Sequence, residues 1–198
     1  MKNYRYLTLN AFASRLSNPL VQDLYGLWLD AIVDDLPPTK TDFPIQELPF
    51  KMWQYLFFCD YTSDKRFYCV HNGTAIVRFY GKEATGKYMD ECLSEDLAKE
   101  ILPLYHGVME EGNAVYYEGD LPTGDESFMT YARLLLPVRA ADEDRYGHLL
   151  SIMIKTGDQK TYKRPYQLQR RNIVWDTLDL QKSLVRRSPF DRGTLGLF

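Results

Sequence analysis

The sequence predicts an α+β domain built on a five-stranded antiparallel sheet, with helices inserted between the second and third strands. Three observations carry that expectation. Two aromatic and apolar stretches, residues 55–61 and 66–72, flank Thr62-Ser63-Asp64-Lys65 and read as a hairpin. Helical periodicity then takes over as far as Gly112. Three more strand-like stretches follow at 114–119, 128–139 and 148–155, linked by Pro122-Thr123-Gly124-Asp125 and Ala141-Asp142-Glu143-Asp144. The domain therefore spans 18–155, between a lead-in at 1–17 and a basic extension at 156–198.

Residues 1–17 are polar and aromatic and read as a loosely held lead-in. Asn18-Pro19 starts a helix, with Asn18 as cap and Pro19 in the first turn. Its apolar residues form one stripe (Leu20, Leu24, Leu27, Trp28, Ala31) and nearly a second (Val21, Tyr25, Leu29, Ile32, Val33). So wide an apolar surface needs cover on more than one side. The sheet supplies one side, and either a second subunit or burial within the same chain supplies the other. Leu36-Pro37-Pro38 stops the helix, and short helical turns follow at 44–48 and 49–54. After the hairpin, Ser94 caps a longer helix with core stripe Leu97, Ile101, Leu104, Tyr105, Val108 and Met109, bent at Pro103.

In the last strand Leu150, Ile152 and Ile154 face one way, and Leu149 and Met153 the other. Both faces of the sheet are thus expected to be covered, the Asn18 helix on the outer one. Beyond the linker Thr156-Gly157-Asp158-Gln159, residues 166–187 suggest a helix with Ile173, Val174, Leu178, Leu184 and Val185 on a diffuse apolar side. Arg170-Arg171 and Arg186-Arg187 make this extension basic, and it is expected to dock on its own domain or a partner.

The segment 72–88 admits two readings. Gly81 to Lys87 fits G-x-x-x-x-G-K, the frame of a phosphate-cradling loop. Tyr88 stands where that loop needs Ser or Thr, and Glu83 would place a carboxylate among anions, so the match is a coincidence of spacing. The better reading is a short helix at 75–80, with Thr74 as N-cap and Gly81 closing it at positive φ.

This Gly-Thr, short helix, Gly, Thr-Gly-Lys pattern resembles the divergent bacterial PAS_5 family of PAS-like domains. The resemblance covers roughly 20–155 and includes Leu24-Tyr25-Gly26-Leu27-Trp28-Leu29, Leu36-Pro37-Pro38-Thr39-Lys40-Thr41-Asp42-Phe43-Pro44 and Leu134-Leu135-Leu136-Pro137. It implies a cavity between the sheet and the helices that follow the second strand. Phe67, Phe79, Tyr105, Met109, Tyr131, Arg133, His148 and Ile152 are the residues expected to line it. Arg133 interrupts an apolar strand, and a buried arginine needs an anionic partner. A protein carboxylate, or exposure at a sheet edge, is the favoured expectation; a ligand carboxylate or phosphate is the other.

Composition narrows the function classes. With 198 residues, 45% hydrophobic, the chain can build one ordinary core. A net charge of −3 gives no pull toward nucleic acid or anionic membrane, and no apolar run is long enough to span a bilayer. No signal-peptide core follows Met1, so a cytoplasmic setting is expected. Cys59, Cys69 and Cys92 lack disulfide or zinc spacing and read as small buried hydrophobes, and His71, His106 and His148 fall on separate elements. Neither a metal site nor a catalytic motif is indicated.

The expected function is that of a stand-alone PAS-like sensory or regulatory domain, without catalysis. It would bind a small-molecule ligand or a signalling protein partner and form a homodimer through the N-terminal helix. No cofactor is indicated, and neither nucleic acid nor membrane is an expected partner. The alternative is a structural homodimeric adaptor whose core is filled.

Overall fold

The computed structural model describes residues 3–34, 36–124, 127–141, 146–157, 160–161 and 174–178. The chain opens with strand β1 (Asn3–Leu7) and helix α1 (Leu9–Ala13), whose first turn is capped by the Thr8 hydroxyl. Leu9, Phe12 and Leu16 are buried, a helical i, i+3, i+7 spacing. The expected loose lead-in is therefore corrected: three apolar anchors and a paired strand hold it.

Helix α2 (Pro19–Asp30) begins as expected, with Leu20 N–H donating to the Asn18 side chain at 2.9 Å and Pro19 in the first turn. It buries Val21, Leu24, Tyr25 and Trp28, and the Trp28 indole N–H donates to the Pro137 carbonyl at 3.0 Å. A 3-10 turn (Ile45–Glu47) and helix α3 (Phe50–Trp53) lead into the hairpin of β2 (Leu56–Tyr61) and β3 (Phe67–Asn72). Its turn closes with Lys65 at φ 61°.

Helix α4 (Thr74–Tyr80) is capped by Gly73 rather than by the expected Thr74. The reason is a close approach. A Cβ at Gly73 would lie 2.3 Å from the Gln54 carbonyl oxygen. The Gly73 and Ala75 N–H groups donate to the Leu56 and Gln54 carbonyls at 2.8 and 2.9 Å, laying the helix start on the α3–β2 junction. Gly81 ends α4 at φ 67°, as its place after the apolar turn suggested.

Three amide donors of the loop after Gly81, which a phosphate cradle would need, are already engaged. Thr85 N–H donates to the Glu83 carboxylate at 2.8 Å, Gly86 N–H to Cys69 O at 2.8 Å, and Lys87 N–H to Ala84 O at 3.0 Å. Helix α5 (Met89–Cys92) follows, and α6 (Glu95–Glu111) then runs through Pro103 to Gly112 at φ 69°.

The remaining strands are β4 (Ala114–Gly124), β5 (Ser127–Arg139), β6 (Tyr146–Lys155), β7 (Lys160–Thr161) and β8 (Val174–Leu178). Among the described residues the sheet order is β1-β8-β4-β5-β6-β2-β3, with β7 paired to β5. The five expected strands form the antiparallel run β4-β5-β6-β2-β3. Strand β8 extends it antiparallel to β4, and β1 lies parallel to β8.

Residues 174–178 thus correct the expected C-terminal helix. Val174, Trp175 and Thr177 suit a strand, β4 offers an open edge, and Leu178 is fully buried. The rest of the expected 166–187 helix lies outside the described residues.

Strand alternation sorts the core into two faces. Leu134, Leu136, Leu150 and Ile152 meet Leu24 and Trp28 of α2 on one face. Phe57, Leu135, Leu149 and Met153 meet Ile76, Ile101, Tyr105 and Val108 of α4 and α6 on the other. Helices cover both faces, as the two-sided apolar pattern of β6 required.

Candidate ligand-binding cavity

A cavity of about 250 Å³ lies between the second face of the sheet and α4, α5 and α6. Its sheet side follows a row of positions in register across the strands, of which Phe57 and Asn72 line the cavity. Asn72 pairs with Phe57, Phe57 with Ser151, and Ser151 with Leu135, so these four positions share one face. Two residues before Leu135, on the same face of β5, stands Arg133. Ile76 and Tyr80 of α4, Ala84, Met89 and Cys92, and Leu93, Leu97, Ile101 and Tyr105 form the walls. Exposed Lys82 and Ser94 mark the rim.

Arg133 is 2% exposed, on a strand flanked by β4 and β6. Its Nε donates to the Ser151 hydroxyl at 2.9 Å, and Nη1 donates to the Tyr80 hydroxyl at 3.4 Å. The guanidinium carbon lies 5.4 and 5.2 Å from the ring centres of Phe57 and Tyr105. Among the described residues no carboxylate pairs with it and Nη2 has no protein acceptor. Neither favoured sequence expectation holds: Arg133 is not at a sheet edge, and no carboxylate among the described residues neutralises it.

The electrostatics follow from burial. Burial opposes the Arg133 charge, and what raises its pKa is the pull of Tyr105, Tyr117, Tyr80 and Tyr131 as phenolates, a pull that is absent while a phenol is neutral. The phenols of Tyr80, Tyr105 and Tyr131 are neutral at physiological pH. Burial pushes Tyr80 up to about 12 and drives Tyr105 and Tyr131 well above the usual phenol range. Among the described residues, Arg133 is therefore a buried cation compensated only by dipoles and ring faces. Removing such a charge from water costs several kcal/mol. A charge-assisted hydrogen bond returns about 1.5–3 kcal/mol and each aromatic face about 0.5–2 kcal/mol. The balance is near zero, and an anion in the cavity would tip it.

Asn72 is the second unusual group. The residue is 7% exposed and lines the cavity, and its side chain helps lower the Glu83 pKa, yet its buried Oδ1 has no hydrogen-bond partner.

Of the eight residues predicted to line a pocket, Tyr105 and Arg133 do so. Phe67, Met109 and Tyr131 are buried in the same apolar cluster, and Phe79 packs against it, all outside the cavity lining. Ile152 is on the opposite face, packed with the α2 core. His148 stacks on Phe58 of that core at 5.4 Å and its Nδ1 lies 2.8 Å from Asp60. Strand parity separates these two from Arg133: on β6 the even-numbered residues face α2. Sequence reasoning missed Asn72, whose signal is a polar side chain closing an apolar strand, and Tyr80, the aromatic end of α4.

The other candidate chemistry disperses. His71 Nε2 lies 2.9 Å from Trp53 O and His106 Nδ1 lies 3.1 Å from the Tyr61 hydroxyl. No cluster among the described residues has the His, Cys, Asp or Glu groups to hold a metal ion. Burial, then the facing Cys69 thiol, raises the Cys59 pKa well above the ordinary thiol range, and burial also raises Cys92. These are thiols, not thiolates. No helix among the described residues is long and apolar enough to cross a membrane. No protein-family model, curated protein or solved structure matches this chain.

Proposed function

We propose that this chain is a PAS-like sensory or regulatory domain that holds a small anionic molecule over Arg133 and performs no catalysis. The single observation that carries the reading is a buried guanidinium, open to a cavity, with no carboxylate partner among the described residues. Proteins rarely leave a buried charge without its opposite, so the missing charge belongs to a ligand. The position of the cavity supports the PAS-like reading, since it lies between the sheet and the helices following the hairpin. Ligand binding would reach the surface through α4, α5 and α6, which form the walls.

Native mass spectrometry of the purified protein tests this reading. The expected spectrum contains a stoichiometric small anion that is released on denaturation and is absent from Arg133→Met. An apo mass for the wild type, unchanged by added anions, would defeat it.

A second reading, a homodimeric adaptor, is favoured by the exposed apolar side chains of Leu27, Val33 and Phe50, the last 93% exposed. That reading expects twice the 23.2 kDa chain mass in the same spectrum, with no small molecule released.

A further inference from the structure

We infer that the ligand is a small monocarboxylate with an apolar body and a hydrogen-bond donor at its far end. Its carboxylate would lie on Arg133 and its donor on Asn72. The inference rests on the ligand-binding reading above and narrows it to a chemical class.

Charge sets the first limit. The buried lining carries one cation, Arg133, while Lys82 is exposed at the rim. Glu95 and Asp96 occupy the first turn of α6, directly after the rim residue Ser94. A monoanion neutralises the interior. A phosphate monoester, carrying roughly −1.5 to −2 at neutral pH, would leave a buried negative excess. The planar guanidinium, with Nη2 and one Nη1 proton still to place, suits the two oxygens of a carboxylate.

Shape sets the second limit. The cavity of about 250 Å³ falls below the roughly 300–1,000 Å³ typical of drug-sized ligands, yet it holds far more than a bare ion. Phe57, Ile76, Met89, Leu97 and Ile101 line the same cavity as the two polar groups, so the body of the ligand is apolar. Asn72 supplies the third limit. Its unpartnered Oδ1 accepts a proton donor, and its strand lies two spacings, about 9.6 Å, from the strand of Ser151, on which Arg133 leans. A hydroxylated aromatic acid has the right length, charge and polarity.

The experiment is calorimetric titration of the full chain with 4-hydroxyphenylacetate, phenylacetate, 4-hydroxyphenylacetamide, phenyl phosphate and succinate. Wild type is expected to bind the two monocarboxylates. The hydroxyl should add about three- to tenfold in affinity, the value of one hydrogen bond. Arg133→Met should weaken both acids by at least about thirtyfold, as expected when one partner of a buried charge pair is removed. Asn72→Ala should erase the difference between them while keeping phenylacetate bound. His148→Gln, on the other face of the sheet, should change nothing. Circular dichroism confirms the fold of each variant, and Arg133→Lys, which keeps the charge but loses the fork, should retain weak binding if Arg133→Met does not fold. Tighter binding of phenyl phosphate or succinate than of either monocarboxylate would overturn the class and leave the anion site standing. Equal affinity of the two acids for wild type would overturn the role of Asn72. No binding by any member of the panel, with nothing released from the native protein, would remove both the class and the proposed function.

Discussion

Arg133 sits where a structural residue would be apolar. Its neighbours on the same strand, Ala132, Leu134 and Leu135, are fully buried and apolar, and among the described residues only Ser151 and Tyr80 meet its donors. Stability alone would favour methionine at this position. Arg133→Met is therefore expected to leave the thermal midpoint unchanged or higher, because removal of an unpaired buried charge offsets the lost hydrogen bond. Differential scanning calorimetry of the two apo proteins checks this, and a fall of several degrees would mean that the guanidinium has a stabilising partner of its own. Arg133 was legible in the sequence because it breaks an apolar run. Asn72 was not, because an asparagine ending a strand beside Gly73 also reads as turn material. Only the register Asn72–Phe57–Ser151 puts it in the same row as the cation's hydrogen-bond partner.

The elements that shape the cavity depend on one close contact. Helix α4 carries Ile76 and Tyr80 into the cavity wall, and its first turn lies on the Gln54 carbonyl. Gly73→Ala forces a methyl group into that 2.3 Å approach and is expected to cost about 1–3 kcal/mol, the range for an overpacked site. Urea unfolding measures it, and a shift below about 0.5 kcal/mol, within the range of ordinary surface changes, would show that the junction yields. Strand β8 is the other element whose role depends on its partners. Leu178 is fully buried in the α2-side core, so Leu178→Ala should cost about 2–5 kcal/mol. A helical, loosely docked tail would lose far less. The helix expectation for 166–187 arose because Ile173, Val174 and Leu178 fit a diffuse helical stripe as well as a strand. The open edge of β4 decides between them.

For the whole molecule, pH resolves two sets of groups. Burial lowers the pKa of His148, with Asp60 opposing it, and burial likewise lowers His106 against Glu110. The unfolded chain, whose histidines titrate near 6.5, then binds more protons than the folded one. Stability from these groups is present above about pH 6.5 and is lost as pH falls through their lowered folded values. A second loss belongs to Asp42, lowered by Thr39, and Glu83, lowered by the Thr85 amide, and begins as pH falls below the carboxylate range. Thermal midpoints should therefore decline from pH 7 to 5 and again below about pH 4.5. The double variant His106→Gln, His148→Gln should flatten the first decline and keep the second. An unchanged first decline would assign it elsewhere.

What the sequence determined by itself was whatever repeats within a few residues. Alternation in β6 required cover on both faces, Asn18-Pro19 and Gly112 marked helix ends, and Arg133 stood out against its strand. Each signal arises from neighbours along the chain, where period and cap are set by backbone geometry. Tertiary structure decided what depends on residues far apart. Asn3–Leu7 became a strand because Val174–Leu178 lies beside it, and Gly73 became a cap because Gln54 passes too close for a side chain. His148 and Ile152 turned away from the cavity because pairing fixed which face of β6 meets α2. Strand partners and close approaches leave no period in the sequence, since hydrogen-bonding backbone is the same at every residue.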